Sequence, residues 1–317
     1  MNLSLKPHPI VSVIIPAHNE SFGIDVTVTQ VAAILELCVN TQWEIIVVDD
    51  GSVDETYKKI CEFSKQDCRI KGLSLSRNFG KESALLAGLA YAQGSAVITL
   101  DADRQHPPIF IPDMVIKWQA GAEIVHAVKR NRIEDSRGHK IAAFLINRLV
   151  STLGGININN SSDFKLLDRK VVDIIVHQLP ENKRFFRGLI SWVGFNEDYI
   201  YFDVAKRQGD ESKWSFFSLV ELSITALVSF TCAPLRMVTF LGFLTFILGL
   251  FVAGDAIISL INRHVVPGYY TIIICLLLIG SFIMISLGII GEYIAKIYEE
   301  VKRRPHFLVA NTVGMDN

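Results

Sequence analysis

The stretch "WEIIVVDDGSVDE", residues 43–55, decides the fold. Trp43 to Val48 is apolar except for Glu44 and rich in β-branched residues, the composition of a buried strand. Asp49 and Asp50 end the run, Gly51 supplies a turn, and "SVDE" (52–55) reads as a capping box opening a helix. A strand that delivers carboxylates to its carboxyl end and passes at once into a helix is half of a βαβ unit. The rhythm recurs on either side, in "VSVIIPA" (11–17), "IKGLSLS" (70–76), "AVITLDAD" (96–103) and "EIVHAV" (123–128), with polar segments of helical length between them. Pro107 and Pro108 suit a first helical turn. The pattern predicts an α/β fold around a parallel sheet.

Composition narrows the chemistry. Half of the 317 residues are apolar, and 31 Lys and Arg stand against 32 Asp and Glu, so no net charge draws the chain to nucleic acid. Five cysteines, odd in number and without C-x-x-C spacing, suggest neither a disulfide framework nor a zinc site. That usage points to a reduced, cytosol-facing protein. "MNLSLKPHPI" (1–10) has no apolar core of the signal-peptide kind, so a cleaved leader is not expected.

The last third changes character. Met237–Ile261 is apolar apart from Asp255, and Val265–Gly291 carries no charge, so each exceeds the roughly 20 residues that span a bilayer. Two transmembrane helices are predicted. Asp255 lies roughly 27 Å along the first, near the far interface, and reads as a residue within reach of water. The intervening "NRHVVPG" (262–268) holds one arginine, whereas Lys213 and Arg236 precede the spans and Lys296, Lys302, Arg303 and Arg304 follow. Both ends are therefore expected in the cytoplasm. The stretch 213–236 reads as a helix in the headgroup layer, with a core helix of the soluble part as its rival.

Ligands of open α/β sheets bind beyond the carboxyl ends of the strands, where "PAHNE" (16–20), "DDGS" (49–52) and "DADRQHPP" (101–108) all fall. If the strand continues through them, Asp101 and Asp103 point to one side and offer hard oxygens to Mg²⁺ or Mn²⁺ already holding a diphosphate. The plainer alternative has Asp101 capping a helix and Asp103 solvated. Asp49 and Asp50 offer acceptors to ribose hydroxyls or base N–H groups. Neither a G-x-x-x-x-G-K-[ST] loop nor a G-x-G-x-x-G follows the first strand, and His18 and Cys61 have no partners at metal-ligand spacing.

The series "VSVIIPAHNE" (11–20), "IIVVDDGSVDET" (45–56), "LSRNFGKESALLAGLAYAQG" (75–94), "ITLDADRQHPP" (98–108), "RFFRGLISWVGF" (184–195) and "ESKWSF" (211–216), followed by two spans, resembles glycosyltransferase family 2. More narrowly it resembles the polyisoprenyl-phosphate glycosyltransferases, the group of dolichol-phosphate mannose synthase and of the bactoprenol glucosyltransferases of O-antigen modification. The resemblance implies a GT-A (Rossmann-like) nucleotide-sugar domain, a sugar-nucleotide donor, Mg²⁺ or Mn²⁺, and a polyisoprenyl phosphate lipid as acceptor. It further implies a multi-pass protein of the bacterial cytoplasmic membrane with its catalytic domain in the cytoplasm, and leaves a homo-oligomer open. The organisation expected is a GT-A domain over 1–212, an interfacial helix over 213–236, a two-helix hairpin over 237–291 and a cytoplasmic tail over 292–317.

Residue by residue, Pro16, Asn19 and Glu20 match the family's first nucleotide-binding motif and Asp50 the acidic residue that meets the nucleoside. Asp101, Asp103 and Gln105 match its metal and diphosphate motif. Asp163 matches an acidic position near the donor sugar, which with Asp101 and Asp103 completes the catalytic set. Lys129 and Arg132 fall where basic residues meet the acceptor phosphate, and Arg207, Ser212 and Lys213 match an R-x-x-G-x-S-K pattern. Arg104 stands where leucine is usual, and Gly209 sits one place early. The reaction implied is inverting transfer of a hexose, foremost glucose from UDP-glucose, to undecaprenyl phosphate. The lipid phosphate is largely a dianion above its second pKa of about 6, so no dedicated base is required. GDP-mannose or a UDP-aminosugar are alternative donors. A non-catalytic nucleotide-sugar-binding scaffold is the rival of another class, and intact Asp101, Asp103 and Gln105 oppose it. A processive synthase would carry Q-x-x-R-W where this chain reads "RFFRGLISW" (184–192), and a flippase would need more spans.

Overall fold

The computed structural model describes residues 10–38, 41–102, 106–129, 163–179, 186–202, 233–261 and 268–315. They form two compact units, one built on a sheet and one on two long helices. In the first, strands β1 (Ile10–Ala17), β2 (Gln42–Asp49), β3 (Ile70–Leu75) and β4 (Ala96–Thr99) come from the apolar runs. β1 pairs in parallel with β2 and β4, and β2 with β3. The connecting helices are α1 (Ile24–Leu35), α2 (Thr56–Gln66) and α3 (Lys81–Tyr91).

Alternation sorts the core into two layers. Val11, Val13 and Ile15 of β1 join Ile24, Val28 and Val31 of α1 and Ile60 of α2 in one cluster. Ile14 and Val48 point the other way, toward Gly88 of α3. A sheet buried on both faces explains why these strands read as continuous apolar runs. Each Val or Ile so buried contributes roughly 1.5–3 kcal/mol.

The other half of the sheet is mixed. A 3₁₀ turn (Pro108–Phe110) leads into α4 (Ile111–Gln119) and β5 (Ile124–Lys129). Then come β6 (Lys165–Asp168), α5 (Arg169–His177), α6 (Phe186–Val193) and β7 (Glu197–Phe202). β6 lies antiparallel between β4 and β5, and β5 runs parallel to β7. The second unit holds α7 (Ala233–Ile261) and α8 (Tyr269–Val301). After α8 the chain forms β8 (Val309–Val313), antiparallel to β3, which completes the order β7-β5-β6-β4-β1-β2-β3-β8.

Three expectations change, and a fourth is not confirmed. β4 ends at Thr99, so Asp101 lies beyond the strand and the alternation invoked for Asp101 and Asp103 does not operate. The capping box over 52–55 does not form. Helix α2 starts at Thr56, whose N–H donates to Asp54 Oδ1 at 3.0 Å, while Ser52 Oγ is taken by Asn19 N. The tail over 292–317 contains the last turns of α8 and strand β8, because the chain beyond Val301 finds an open edge on β3. Gly72 of β3 allows this, since a Cβ there would run into Ile60 and Val313. Finally, two spans are expected, yet among the described residues only Leu278–Val301 is long and apolar enough to cross a membrane.

Candidate active site

The loops after β1 and β2 are joined by backbone donors. Asn19 N donates to Ser52 Oγ at 2.9 Å and Val53 N to Asn19 Oδ1 at 3.0 Å. Glu20 N donates to Thr56 Oγ1 at 3.0 Å and Ser21 N to Asp54 Oδ2 at 3.1 Å. Asn19 takes a left-handed φ of 55°, which asparagine tolerates better than most residues. Pro16 is buried inside β1 in register with Val48.

The two aspartates of "DDGS" have internal partners. Asp49 accepts from Ser52 N at 3.1 Å and Ser74 Oγ at 2.9 Å. Asp50 accepts from Phe79 N at 2.8 Å through Oδ1 and from Gly80 N at 2.9 Å through Oδ2. At 1% and 4% exposure, these carboxylates fasten loops together before they face any ligand. Gly51, at φ 64°, is required beside them, because a Cβ would collide with the Arg77–Asn78 peptide. His18 adds a further bond. Its Nδ1 lies 2.9 Å from the Asp50 carbonyl, which can only accept, so Nδ1 donates and Nε2 receives the amides of Asn78 at 3.0 Å and Asn19 at 3.2 Å. Three loops thus form one platform at the carboxyl ends of β1 to β3.

Gly80, held by Asp50, is followed by Lys81, the first residue of α3 and the link to a second cluster. Lys81 Nζ lies 2.7 Å from Asp101 Oδ1, 2.8 Å from Asp101 Oδ2 and 2.8 Å from Asp163 Oδ2. Arg187, on α6, donates from Nε to Asp163 Oδ1 at 2.6 Å and from Nη2 to Oδ2 at 2.7 Å. His106 Nδ1 stands 3.9 Å from Asp101 Oδ2, its ring packed near Phe164 and Phe202. Behind them Glu82 accepts from Phe186 N at 3.2 Å, and Lys165 is fully buried with Nζ 5.8 Å from the Phe186 ring.

These groups set one another's charge. Burial opposes ionisation of Asp163, but Arg187 and Lys81 hold its carboxyl far below the usual range. Burial likewise opposes the Lys81 ammonium, and the Asp101 and Asp163 charges raise its pKa above the ordinary value. Glu82, buried and near Asp163, is pushed up to about 7. Lys165 is pulled down to about 7 by burial. The arrangement is a set of two carboxylates and two permanent cations backed by two groups that titrate near neutrality.

Asp101 and Asp163 are therefore brought together, while Asn19, Glu20 and Asp50 share the adjoining platform. Asp103, Gln105, Arg132, Arg207, Ser212 and Lys213 lie outside the described residues. Lys129 is the last residue of β5, in register with Phe202. Sequence reasoning missed Lys81, Glu82, Arg187, Lys165 and the His18 bridge. Lys81 and Arg187 stand inside quoted motifs, "NFGKES" and "RFFRGL", but nothing local marks their shared partner.

Among the described residues no three His, Cys, Asp or Glu side chains gather into a metal cage. The donor chemistry at Asp101 still fits a hard divalent ion. Its oxygens carry an ammonium across both positions, so the site already attracts a cation, and the side chain is 16% exposed.

Comparison with known proteins identifies the family. Residues 12–177 match Glycosyl transferase family 2, and residues 233–297 match the GtrB C-terminal hairpin. A glycosyltransferase of Synechocystis is 39% identical over 307 residues, 96% of each chain. The SfII prophage-derived bactoprenol glucosyl transferase of Shigella flexneri is 37% identical, covering 94% of this chain and 97% of its own. The prophage bactoprenol glucosyl transferase homolog of Escherichia coli is 35% identical, over 94% and 98%. Among solved structures, glucosyl-3-phosphoglycerate synthase from Mycobacterium tuberculosis in complex with UDP is 19% identical, with a TM-score of 0.48 over 70% of this chain and 79% of that one. With its mixed α/β sheet, its ion cluster at the strand ends and its two matched regions, this chain belongs to glycosyl transferase family 2 and is a glycosyltransferase with a GtrB-type C-terminal hairpin.

Proposed function

We propose that the protein transfers a hexose, glucose from UDP-glucose in the first instance, to the phosphate of a polyisoprenyl lipid, undecaprenyl phosphate, at the cytoplasmic face of a bacterial membrane. The observation that carries this reading is the convergence of Asp101, Asp163, Lys81 and Arg187 in a chain 35–37% identical to bactoprenol glucosyl transferases over 94% of its length. The platform of Asn19, Glu20 and Asp50 receives the nucleoside. Asp101, with Asp103 and Gln105, would hold Mg²⁺ or Mn²⁺, which would supply positive charge for the diphosphate. The lipid phosphate needs no base, being mostly dianionic at neutral pH. Its oxygen attacks the anomeric carbon, the bond to the nucleoside diphosphate breaks with its electron pair, and the configuration inverts. Asp163, fixed by Arg187, lies near the sugar. Lys129, Arg132, Arg207, Ser212 and Lys213 offset the repulsion between acceptor phosphate and donor diphosphate.

Two membrane spans are part of the proposal. β8 follows α8 in sequence yet pairs with β3 of the catalytic sheet, so the number of crossings between Phe202 and Val309 must be even. That parity favours a hairpin over the single span, and α8 bears the exposed Leu276, Met284 and Ile283 that a lipid environment would cover. The limits proposed are a GT-A domain over 1–212 completed by β8, an interfacial segment ending where α7 begins at Ala233, and a hairpin of α7 and α8.

The test is transfer of radiolabelled sugar from UDP-glucose, GDP-mannose and UDP-N-acetylglucosamine to undecaprenyl phosphate, with Mg²⁺ and with EDTA. Label in the lipid phase from UDP-glucose, abolished by EDTA and by Asp101→Asn, is expected. Absence of lipid product from every donor would reject the reading, and undiminished activity in EDTA would reject its metal.

A further inference from the structure

Lys81 occupies Asp101 in the way a metal ion would. Its ammonium contacts Oδ1 at 2.7 Å and Oδ2 at 2.8 Å, in the fork between the two oxygens. A Mg²⁺ ion on either oxygen would sit at about 2.0–2.1 Å, and it would repel an ammonium lodged in the same fork. The ammonium and the ion therefore compete for Asp101.

The side chain has somewhere else to go. Lys81 opens α3 at the end of a flexible four-carbon stem, and its side chain is 43% exposed. Its second partner, Asp163, is already neutralised by the two bonds from Arg187. An ammonium displaced from Asp101 therefore keeps one contact at Asp163 and turns its other donors toward an incoming anion. The charge balance agrees. Two carboxylates and two cations sum to zero, and a divalent ion entering with the two diphosphate charges near it leaves the sum unchanged.

We propose that Lys81 is an exchangeable counter-charge: it competes with the divalent ion for Asp101 and, once displaced, contacts the donor diphosphate. Metal and nucleotide then bind as a coupled pair, since the metal alone must evict Lys81 without a new anion to receive it. This rests on the metal role proposed for Asp101.

The experiment measures Mn²⁺ binding to the full-length protein in detergent micelles by the loss of the free-ion electron paramagnetic resonance signal, with and without UDP. Wild type is compared with Lys81→Met, Lys81→Arg and Asp101→Asn, each checked for an unchanged thermal transition. Wild type should bind Mn²⁺ weakly alone and at least tenfold more tightly with UDP. Lys81→Met should bind Mn²⁺ alone at least tenfold more tightly than wild type and lose most of the gain from UDP, whereas Lys81→Arg, which keeps the charge, should show no such tightening. Metal-alone affinity in Lys81→Met equal to or weaker than wild type, with Asp101→Asn still abolishing binding, would overturn the exchange and leave the metal site standing. Binding unaffected by Asp101→Asn would overturn the metal site itself and the exchange with it.

Discussion

Arg187 grips Asp163 through two parallel bonds, Nε to Oδ1 at 2.6 Å and Nη2 to Oδ2 at 2.7 Å. A planar fork on a carboxylate fixes direction as well as charge, which a lysine ammonium cannot reproduce. Arg187→Lys should therefore leave the fold intact but lower kcat/KM for sugar transfer by about 10- to 100-fold, or roughly 1.4–2.7 kcal/mol. Steady-state transfer assays alongside thermal unfolding will check this, and wild-type rates in the lysine variant would show that orientation of Asp163 is immaterial.

Glu82 gives a pH signature. Its carboxyl is pushed up to about 7 from an ordinary 4.5, first by burial and then by Asp163. The folded state favours the protonated form, so this group costs nothing below about pH 4.5, and its cost grows until the folded carboxyl is ionised above pH 7. Glu82→Gln keeps an oxygen for Phe186 N and removes the ionisation. The variant should match wild type at pH 4.5 and exceed it at pH 8 by about 1–3 kcal/mol in unfolding free energy. A difference that is the same at both pH values would contradict the assignment.

What the sequence made legible was whatever a local pattern encodes. Strands β1 to β5 announced themselves as apolar runs because most are buried on both faces, and the carboxylates after β2 and β4 were visible at their ends. β6 was hidden because its four residues begin with Lys165, a charge whose burial depends on neighbours far along the chain. β8, "VANTV", is a short edge strand with none of its residues fully buried, so no continuous apolar run marks it. In the site, Asp101 and Asp163 were found through motif resemblance, but their joining by Lys81 and Arg187 is a long-range event that no spacing records. The spacing of Asp49 and Asp50 suggests acceptors for a nucleoside, whereas their low exposure commits them first to Ser52, Ser74, Phe79 and Gly80.

A second buried ion pair offers a test of stability away from the site. Glu44 accepts from Lys71 Nζ at 2.7 Å, Ser12 Oγ at 2.5 Å and Gln93 N at 2.7 Å. Burial opposes its ionisation, but Lys71, Ser12 and Gln93 hold the carboxyl below the usual range. Glu44→Ala strands three donors and should cost about 3–5 kcal/mol at neutral pH, while Glu44→Met with Lys71→Met, which still strands Ser12 Oγ and Gln93 N, should cost less than the sum of the two single Met variants. Because the folded pKa is depressed, the wild-type advantage is present above about pH 4.5 and fades as pH falls through the lowered value. Denaturant midpoints for Glu44→Met, Lys71→Met and the double variant at pH 7 and pH 3.5 will decide; a double-variant loss equal to the sum of the two single losses would mean that the pair is not coupled.

The C-terminal strand distinguishes a tail from a structural element. β8 pairs Val313 with Gly72, Thr312 with Leu73, Asn311 with Ser74 and Val309 with Leu75, and Ser76 N donates to the Leu308 carbonyl at 2.8 Å. Val313 also packs on the core beside Ile60, in space that Gly72 leaves open. Truncation after Pro305 would expose the edge of β3, its unpaired backbone groups and the apolar side of Gly72 and Ile60 at once. An edge so bared is also a template for pairing with other chains. The truncated protein should therefore lose several degrees of thermal stability and aggregate on heating, even though every residue of the ion cluster is retained. Asn311→Ala, at an exposed position of the same strand, should shift the transition by less than about 0.5 kcal/mol in equivalent free energy. If truncation leaves the thermal transition and the aggregation onset where the full chain has them, β8 is dispensable and residues beyond Val301 act as a tail after all.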